Sequence, residues 1–261
     1  MKLNLKDKVV VVTGGAQGIG RAMVTAYLAE GCKAAICDIN EKALEDAKLY
    51  FKELGYDVMT AVVNVCDNEG VTAFAKDVTK EYGRLDIWVN NAGILHPESI
   101  LTQKLSDFER VIRVNLSSVF NGTQAAANVM IECGNGGVII NSSSFAGILP
   151  TAERCSYAAS KAGVIAFTKE TAAELAPKGI RVVAIAPGMV NVGMMSARLN
   201  SPEREKIISR IAMRRCAEPS EVAELCVFLA SDAAAYLTGS VYEITGGQNC
   251  IQDVMQPWGL Y

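Results

Sequence analysis

Seven short runs rich in Val and Ile punctuate the chain, at 8–13, 33–37, 58–63, 85–89, 138–141, 181–186 and 240–244. Most are apolar at successive rather than alternate positions, the pattern of strands covered on both faces. Between them apolar residues recur at helical spacing, as at Leu44, Ala47 and Leu54, or at Val222, Leu225, Cys226 and Leu229. Such segments lay one face on a sheet. Asn68 before Glu69 and Ser220 before Glu221 are read as helix N-caps. Strands alternating with helices predict an α/β fold with a doubly wound, Rossmann-like parallel sheet. No internal repeat, low-complexity tract or linker-like stretch divides the chain. Residues 1–261 are therefore expected to form a single domain, with 188–215 as an insertion closing over a substrate.

Composition narrows the function classes. The chain has 261 residues, 50% of them hydrophobic, enough for a full core. Its net charge is −3 with acids and bases interspersed, so it carries no nucleic-acid footprint. No apolar run approaches the roughly 18 residues of a membrane span, and 1–8 alternates Lys with single apolar residues. A soluble cytoplasmic protein without membrane partners is expected. Eight cysteines include no C-x-x-C pair and are read as buried, reduced thiols. With His96 as the single histidine, a His/Cys zinc site or a Ser/His/Asp hydrolase starts poorly supplied, and no metal is expected.

Candidate chemistry lies at two places. After the first strand comes Thr13-Gly14-Gly15-Ala16-Gln17-Gly18-Ile19-Gly20, opening into a helix over 21–30. Glycines there let the backbone turn tightly and let a pyrophosphate reach helix N–H groups. Asp38 ends the second strand about 20 residues further on, where an acidic residue binds the adenosine ribose. No Arg or Lys stands at 14–20 or 39–41, so a partner for a 2′-phosphate is missing and NAD is favoured over NADP. The second place is Tyr157 with Lys161, four residues apart and on one helix face.

In these motifs the chain, from about residue 5 to 248, resembles the short-chain dehydrogenase/reductase family in its classical, compact branch. The match runs in order through Thr13-Gly-x-x-x-Gly18-x-Gly20, Asn90-Asn91-Ala92-Gly93, Asn115, Ser142-Ser143-Ser144, Tyr157-x-x-x-Lys161, Pro187-Gly188 and Gly246-Gly247. The resemblance implies an oxidoreductase interconverting a secondary alcohol, whether polyol, hydroxysteroid or cyclic alcohol, and its ketone, with NAD as the cofactor that Asp38 favours. It makes Tyr157 the general acid/base, its phenolate favoured by Lys161 and by the positive charge of the oxidised nicotinamide; Lys161 would also hold the nicotinamide ribose. Ser144, thirteen residues before Tyr157, would hold the substrate oxygen; Ser142 and Ser143 are read as strand-end packing. Asn115 would order a proton-relay water, a helix-kink hydrogen bond being a compatible alternative. For the cofactor it implies Gly14, Gln17, Gly18, Ile19, Gly20, Asp38, Asn64, Val65, Asn91, Ala92, Gly93, Pro187, Gly188 and Val190. Val192 departs from the Ser or Thr usual there, which shifts the carboxamide contact to backbone near Val190.

Substrate identity is expected in 94–99, 145–154 and 188–215. The last offers Met189, Met194 and Met195, more often plain core; His96 and Arg154 are read as surface residues. The resemblance, with long apolar stretches at 111–130 and 155–175, implies a homotetramer or homodimer. The tail at 252–261, with Trp258 and Tyr261, is read as subunit packing. Two rival readings are kept. A reductase of acyl-carrier-protein-bound 3-ketones would want NADPH and a basic docking surface such as Arg110, Arg113, Arg214 and Arg215. A non-catalytic dinucleotide sensor would keep the fold alone.

Overall fold

The computed structural model describes residues 3–248, Cys250 and Trp258. Seven strands, β1 (Val9–Thr13), β2 (Lys33–Asp38), β3 (Val58–Val62), β4 (Ile87–Asn90), β5 (Gly137–Ser142), β6 (Ile180–Pro187) and β7 (Val241–Ile244), form one sheet in the order β3-β2-β1-β4-β5-β6-β7. Every neighbouring pair is parallel.

Successive side chains of a strand face opposite sides, so each apolar run feeds two cores. Val10 and Val12 of β1, with Ile36 and Val89, pack under α1 (Gly18–Ala29), α2 (Glu41–Glu53) and α9 (Pro219–Ala230). Val9 and Val11, with Trp88 and Ile139, pack under α3 (Asn68–Tyr82), α5 (Ser118–Cys133) and α6 (Cys155–Leu175). Each such fully buried side chain contributes about 1.5–3 kcal/mol, which is why these runs tolerate few polar interruptions. The chain winds outward in both directions from β1 and β4. Their carboxyl ends form the topological switch point, where this fold class binds ligands.

The remaining helices are α4 (Leu105–Ile112), α7 (Met194–Leu199) and α8 (Arg204–Ile208). The last two lie in the 188–215 insertion, which owns a small core of Ile207, Ile208, Ile211 and Cys216. Met189 and Met195 pack on that core, the plainer of the two uses expected for them. The side chain of Met194 lies outside the described residues.

Several sequence expectations shift locally. Helix α1 begins at Gly18, not at residue 21. The cap of α9 is Glu218: Pro219 pre-sets the first turn, and Glu218 and Glu221 form a reciprocal capping box. Asp67, not Asn68, precedes α3, and Asn68 instead donates to Asn121 across the layer. Leu54 follows α2 and is exposed. Of the thiols, Cys32, Cys37, Cys216 and Cys226 are buried, but Cys133 and Cys250 are exposed. Among the described residues no helix is long and apolar enough to cross a membrane.

Candidate active site

The glycine stretch turns at the carboxyl end of β1. Gly14 donates its N–H to the Cys37 carbonyl (2.8 Å) and takes φ +62°, a left-handed conformation suited to glycine. A Cβ on Gly20 would collide with the Gly14 carbonyl oxygen and stand 2.7 Å from Asn91 Nδ2. The first intrahelical bond runs from Arg21 N–H to the Gln17 carbonyl (3.2 Å). The amides of Gly18, Ile19 and Gly20 therefore belong to the unsatisfied first turn, which favours an anion. The loop after β4 is tied across: Thr13 Oγ1 accepts from the amides of Asn91 (3.0 Å) and Ala92 (3.1 Å), and Asn91 Nδ2 donates to the Thr13 and Gly14 carbonyls. A cradle that glycine alone can line, at a helix N-terminus, fits a dinucleotide pyrophosphate.

Asp38 closes β2, half-buried. One carboxylate oxygen accepts the Asn40 N–H (3.0 Å), while Asn40 itself caps α2 through Ala43. Asp38 Oδ2 has no partner among the described residues. Exposed Asn64 uses Oδ1, the acceptor expected for adenine, to hold a turn on the Cys66 N–H (3.0 Å). The Val65 carbonyl accepts from Asn121 Nδ2 (3.0 Å). At the other end, Gly188 N–H bonds the Ile244 carbonyl, and Met189 and Asn191 bridge to Ala217 so that the Val190 side chain is buried. Beside Gly188, Gln248 Oε1 is buried without a hydrogen-bond partner among the described residues. The Val192 N–H is already given to the Val190 carbonyl (2.9 Å).

Tyr157 and Lys161 stand on successive turns of α6, with Lys161 Nζ 5.8 Å from the Tyr157 ring centroid. Lys161 is 4% exposed, and Nζ donates to the Ser142 carbonyl at 2.7 Å. Burial pushes its ammonium down to about 8. The surroundings of the Tyr157 phenol act on it in opposite directions. Burial raises it above the usual phenol value, against a smaller downward pull from the neighbouring Ser144 side chain and from the charge of Arg154.

Ser144 leads a single turn at Phe145–Gly147 and accepts the Ala146 N–H at 3.1 Å. Ser143 Oγ donates to the Lys161 carbonyl (2.8 Å), pinning β5 to α6. Ser142 does more than pack: its carbonyl fixes Lys161, and its hydroxyl is buried without a partner among the described residues. Asn115 sits fully buried in a widened helical turn at Arg113–Ser117. Its amide oxygen accepts the Ile94 N–H, and its nitrogen donates to the Ile94 carbonyl and to Ser160 Oγ. The kink and the site thus coincide. A Cβ on Gly93 would lie 3.2 Å from Asn115 Oδ1 and 3.5 Å from Lys161 Nζ, so glycine keeps the gap between those two groups open.

Sequence reasoning missed a buried amide chain behind the site. Trp88 Nε1 donates to Asn90, Asn90 to Asn141, and Asn141 to Thr168 of α6, at 2.7–3.0 Å. Isolated Asn residues inside apolar strands were its only signal. His96 is not a plain surface residue: Nδ1 faces Arg110 (3.4 Å), and Nε2 lies 3.7 Å from Glu98 and 3.9 Å from Asp107. Trp258 Nε1 donates to the Ala212 carbonyl (2.9 Å); Tyr261 lies outside the described residues. A cavity of about 440 Å³ opens at the opposite, amino-terminal end of the sheet beside Asp86. That carboxylate is already taken up by Val9, Arg84 and Lys8, so no unmet chemistry stands there.

A doubly wound sheet with a glycine-lined pyrophosphate cradle, facing a half-buried Tyr157 paired with a buried Lys161, defines a nicotinamide-dinucleotide oxidoreductase. The chain belongs to the short-chain dehydrogenase/reductase family. A family model described as "Enoyl-(Acyl carrier protein) reductase" matches residues 14–249. The 3-oxoacyl-[acyl-carrier-protein] reductase FabG of Thermotoga maritima is 41% identical over 245 residues, 94% of this chain and 99% of that protein. The 3alpha-hydroxysteroid dehydrogenase of Mediterraneibacter gnavus is 38% identical over 248 residues, 94% of this chain and 98% of that one. An NAD+-bound xylitol dehydrogenase structure superposes with a TM-score of 0.87 at 30% identity, covering 94% of this chain and all of that chain, 100%.

Proposed function

We propose that this enzyme interconverts a small secondary alcohol and its ketone with NAD, using Tyr157 as general acid/base. The observation that carries the reading is the placement of Tyr157 and Lys161 on successive turns of α6, Nζ 5.8 Å from the phenol ring centroid, with Lys161 anchored on the Ser142 carbonyl. When bound, the nicotinamide dinucleotide supplies or accepts the hydride. Tyr157 Oη takes the hydroxyl proton during oxidation and returns it during reduction, while Ser144 Oγ holds the substrate oxygen. Lys161, its charge poised near neutrality by burial, steadies the phenolate and the nicotinamide ribose. Asn115 holds the widened turn, and its remaining lone pair faces the gap left by Gly93, where a relay water would reach Lys161. The glycines at 14, 18 and 20, with Gln17, Ile19 and the 91–93 loop, hold the pyrophosphate. Asp38, Asn64 and Val65 serve the adenosine; Pro187, Gly188 and Val190 serve the carboxamide. The insertion at 188–215 acts as the lid.

Asp38 supports NAD, since its free carboxylate oxygen suits ribose hydroxyls and would repel a 2′-phosphate. The second reading, a reductase of acyl-carrier-protein thioesters, is supported by the Thermotoga relative's name. It is disfavoured by charge. Arg110, Arg214 and Arg215 each pair with a carboxylate, Asp107, Glu205 and Glu221 respectively, so the basic surface an acidic carrier would seek is largely neutralised. Polyols, hydroxysteroids, cyclic alcohols and 3-hydroxyacyl thioesters, assayed in both directions with NAD and NADP, decide the matter. Turnover of free secondary alcohols with NAD is expected. Dinucleotide binding with no turnover of any of them would favour the sensor reading instead.

A homotetramer belongs to the same proposal. Helices α5 and α6 keep apolar surface on their outer faces, including Phe120, 47% exposed and edge-on to Phe167. Light scattering at micromolar concentration is expected to give about four times the 27.9 kDa chain mass; a single-chain mass would contradict it.

A further inference from the structure

We propose that Arg154 makes this site selective for hydroxy acids and oxo acids, substrates that carry a free carboxylate besides the reacting carbinol or ketone. The inference rests on the oxidoreductase reading above and names its substrate class. Arg154 is the N-cap residue of α6, three positions before Tyr157, so the two share a helix face. Its carbonyl accepts the Ala158 N–H at 2.8 Å, which fixes the backbone there.

The side chain is out of keeping with its position. N-caps favour Ser, Thr, Asp or Asn, whose oxygens accept from the first turn; an arginine has no acceptor to offer, and none is made. A cation is also disfavoured at the positive end of a helix, and α6 has no acidic residue in its first turn. Nothing in the protein compensates: among the described residues the half-buried Arg154 guanidinium has no hydrogen bond or ion pair. Arg198 pairs with Glu203 at 2.7 Å and Arg215 with Glu221 at 2.6 Å. Arg113, Arg204 and Arg210, like Arg154, have no such partner among the described residues, but they are exposed to water, whereas Arg154 is half-buried. The acids nearest in this turn do not reach it. Glu153 takes the left-handed φ of +63°, and its carbonyl is engaged by the Glu98 N–H at 2.9 Å.

The missing anion therefore comes from outside, and the three-residue spacing along α6 sets Arg154 on the helix face that carries Tyr157. The Arg154 charge already reaches the Tyr157 phenol and pulls it downward. One planar guanidinium matches one carboxylate in a two-point contact. Ile148 and Leu149, 42% and 47% exposed in the same connection, offer apolar surface to the carbon chain between the two polar ends. Local rules broken without a local gain are expected where a ligand completes the arrangement.

The test compares acids with their amides in the native enzyme, Arg154→Gln and Arg154→Lys. The probes are 3-hydroxybutanoate, 4-hydroxypentanoate and 5-hydroxyhexanoate, each against its primary amide, with cyclohexanol and butane-2,3-diol as neutral redox controls. In parallel, pentanoate, pentanamide and pentyl phosphate are titrated calorimetrically into enzyme saturated with NADH. For the best acid, kcat/KM should exceed that of its amide by at least ~10-fold, the scale of one charge-assisted contact. The ratio should fall to near one in Arg154→Gln and be partly kept in Arg154→Lys. Pentanoate should bind more tightly than pentanamide by a similar factor, and pentyl phosphate no better than pentanoate. Equal use of acid and amide by the native enzyme, or a ratio unchanged in Arg154→Gln, would overturn the proposal. Oxidation of the neutral controls would then leave the oxidoreductase reading standing. If no alcohol is oxidised, that reading fails, and the binding ratio alone decides the carboxylate site. Tighter binding of pentyl phosphate would overturn the choice of carboxylate.

Discussion

Lys161 hands its ammonium to the backbone carbonyl of Ser142, 2.7 Å away, from a side chain that is almost wholly buried. A buried amine is costly in its charged form, and burial lowers this one from 10.5 to about 8. Because the folded state releases the proton first, the penalty is full below pH 8 and fades as pH rises toward the unfolded value of 10.5. The shift corresponds to roughly 3 kcal/mol, offset in part by the hydrogen bond, worth about 1 kcal/mol. Lys161→Met is therefore expected to abolish turnover yet raise Tm of the dinucleotide-free protein by about 2–8 °C below pH 8. The gain should shrink between pH 8 and 10.5. Melting curves across that window check it; a difference that does not change with pH would contradict the assignment.

Gly20→Ala tests the cradle. The added methyl would meet the Gly14 carbonyl and stand 2.7 Å from Asn91 Nδ2, and backbone cannot yield as a flexible side chain does. Overpacking of this kind costs about 1–3 kcal/mol. NADH affinity is expected to fall at least ~10-fold as the loop is displaced. At Gly18 a Cβ would meet nothing within 4 Å, but φ is +57°, so Gly18→Ala should cost about 1–2 kcal/mol from conformation alone. Fluorescence titration with NADH, alongside melting curves, separates the two; unchanged NADH affinity in Gly20→Ala would place the pyrophosphate elsewhere.

Asp38 is expected to set the cofactor preference. Its carboxylate can accept from ribose hydroxyls, each bond contributing about 1.5–3 kcal/mol, whereas a 2′-phosphate about 5 Å away would be repelled by several kcal/mol before screening. The native enzyme should prefer NAD by at least ~10²-fold in kcat/KM, and Asp38→Ala should weaken NAD while improving NADP. Equal use of both cofactors, or an unchanged ratio in the variant, would mean that another group reads the ribose.

The fold was legible because both sheet faces are covered, so the strands announce themselves as unbroken apolar runs. Their ends were not. The fourth run stops before Asn90 and the fifth before Ser142, yet both residues lie in strands, because Asn90 satisfies its amide against Asn141 and Thr123 inside the core. Polarity reads as a boundary only while its partner, here 51 residues away, is unknown. The same holds at the site. Tyr157, Lys161, Ser144 and Asn115 were named as candidates through the ordered motifs that carry the family resemblance, which survive in a linear sequence. The Ser142 carbonyl that holds Lys161, and the direction in which burial moves the Tyr157 phenol, depend on what surrounds each group in space. Arg154, read as a surface residue, stood at a cap position that only the true start of α6 reveals.

Replacing Tyr157 by Phe tests the central claim most directly. The ring still packs, and only the hydroxyl that moves the proton is lost, so turnover of the best secondary alcohol should drop by at least ~10² while NADH binding stays within a few-fold. In the native enzyme, oxidation should go on rising with pH through the alkaline range, since burial holds the phenol above its usual value and its deprotonated form is the base. The decisive measurement is kcat for alcohol oxidation with NAD, native against Tyr157→Phe, with NADH affinity determined on the same samples. A loss of at least ~10² with binding intact is the predicted result; a variant that keeps more than about a tenth of native kcat would contradict Tyr157 as the general acid/base.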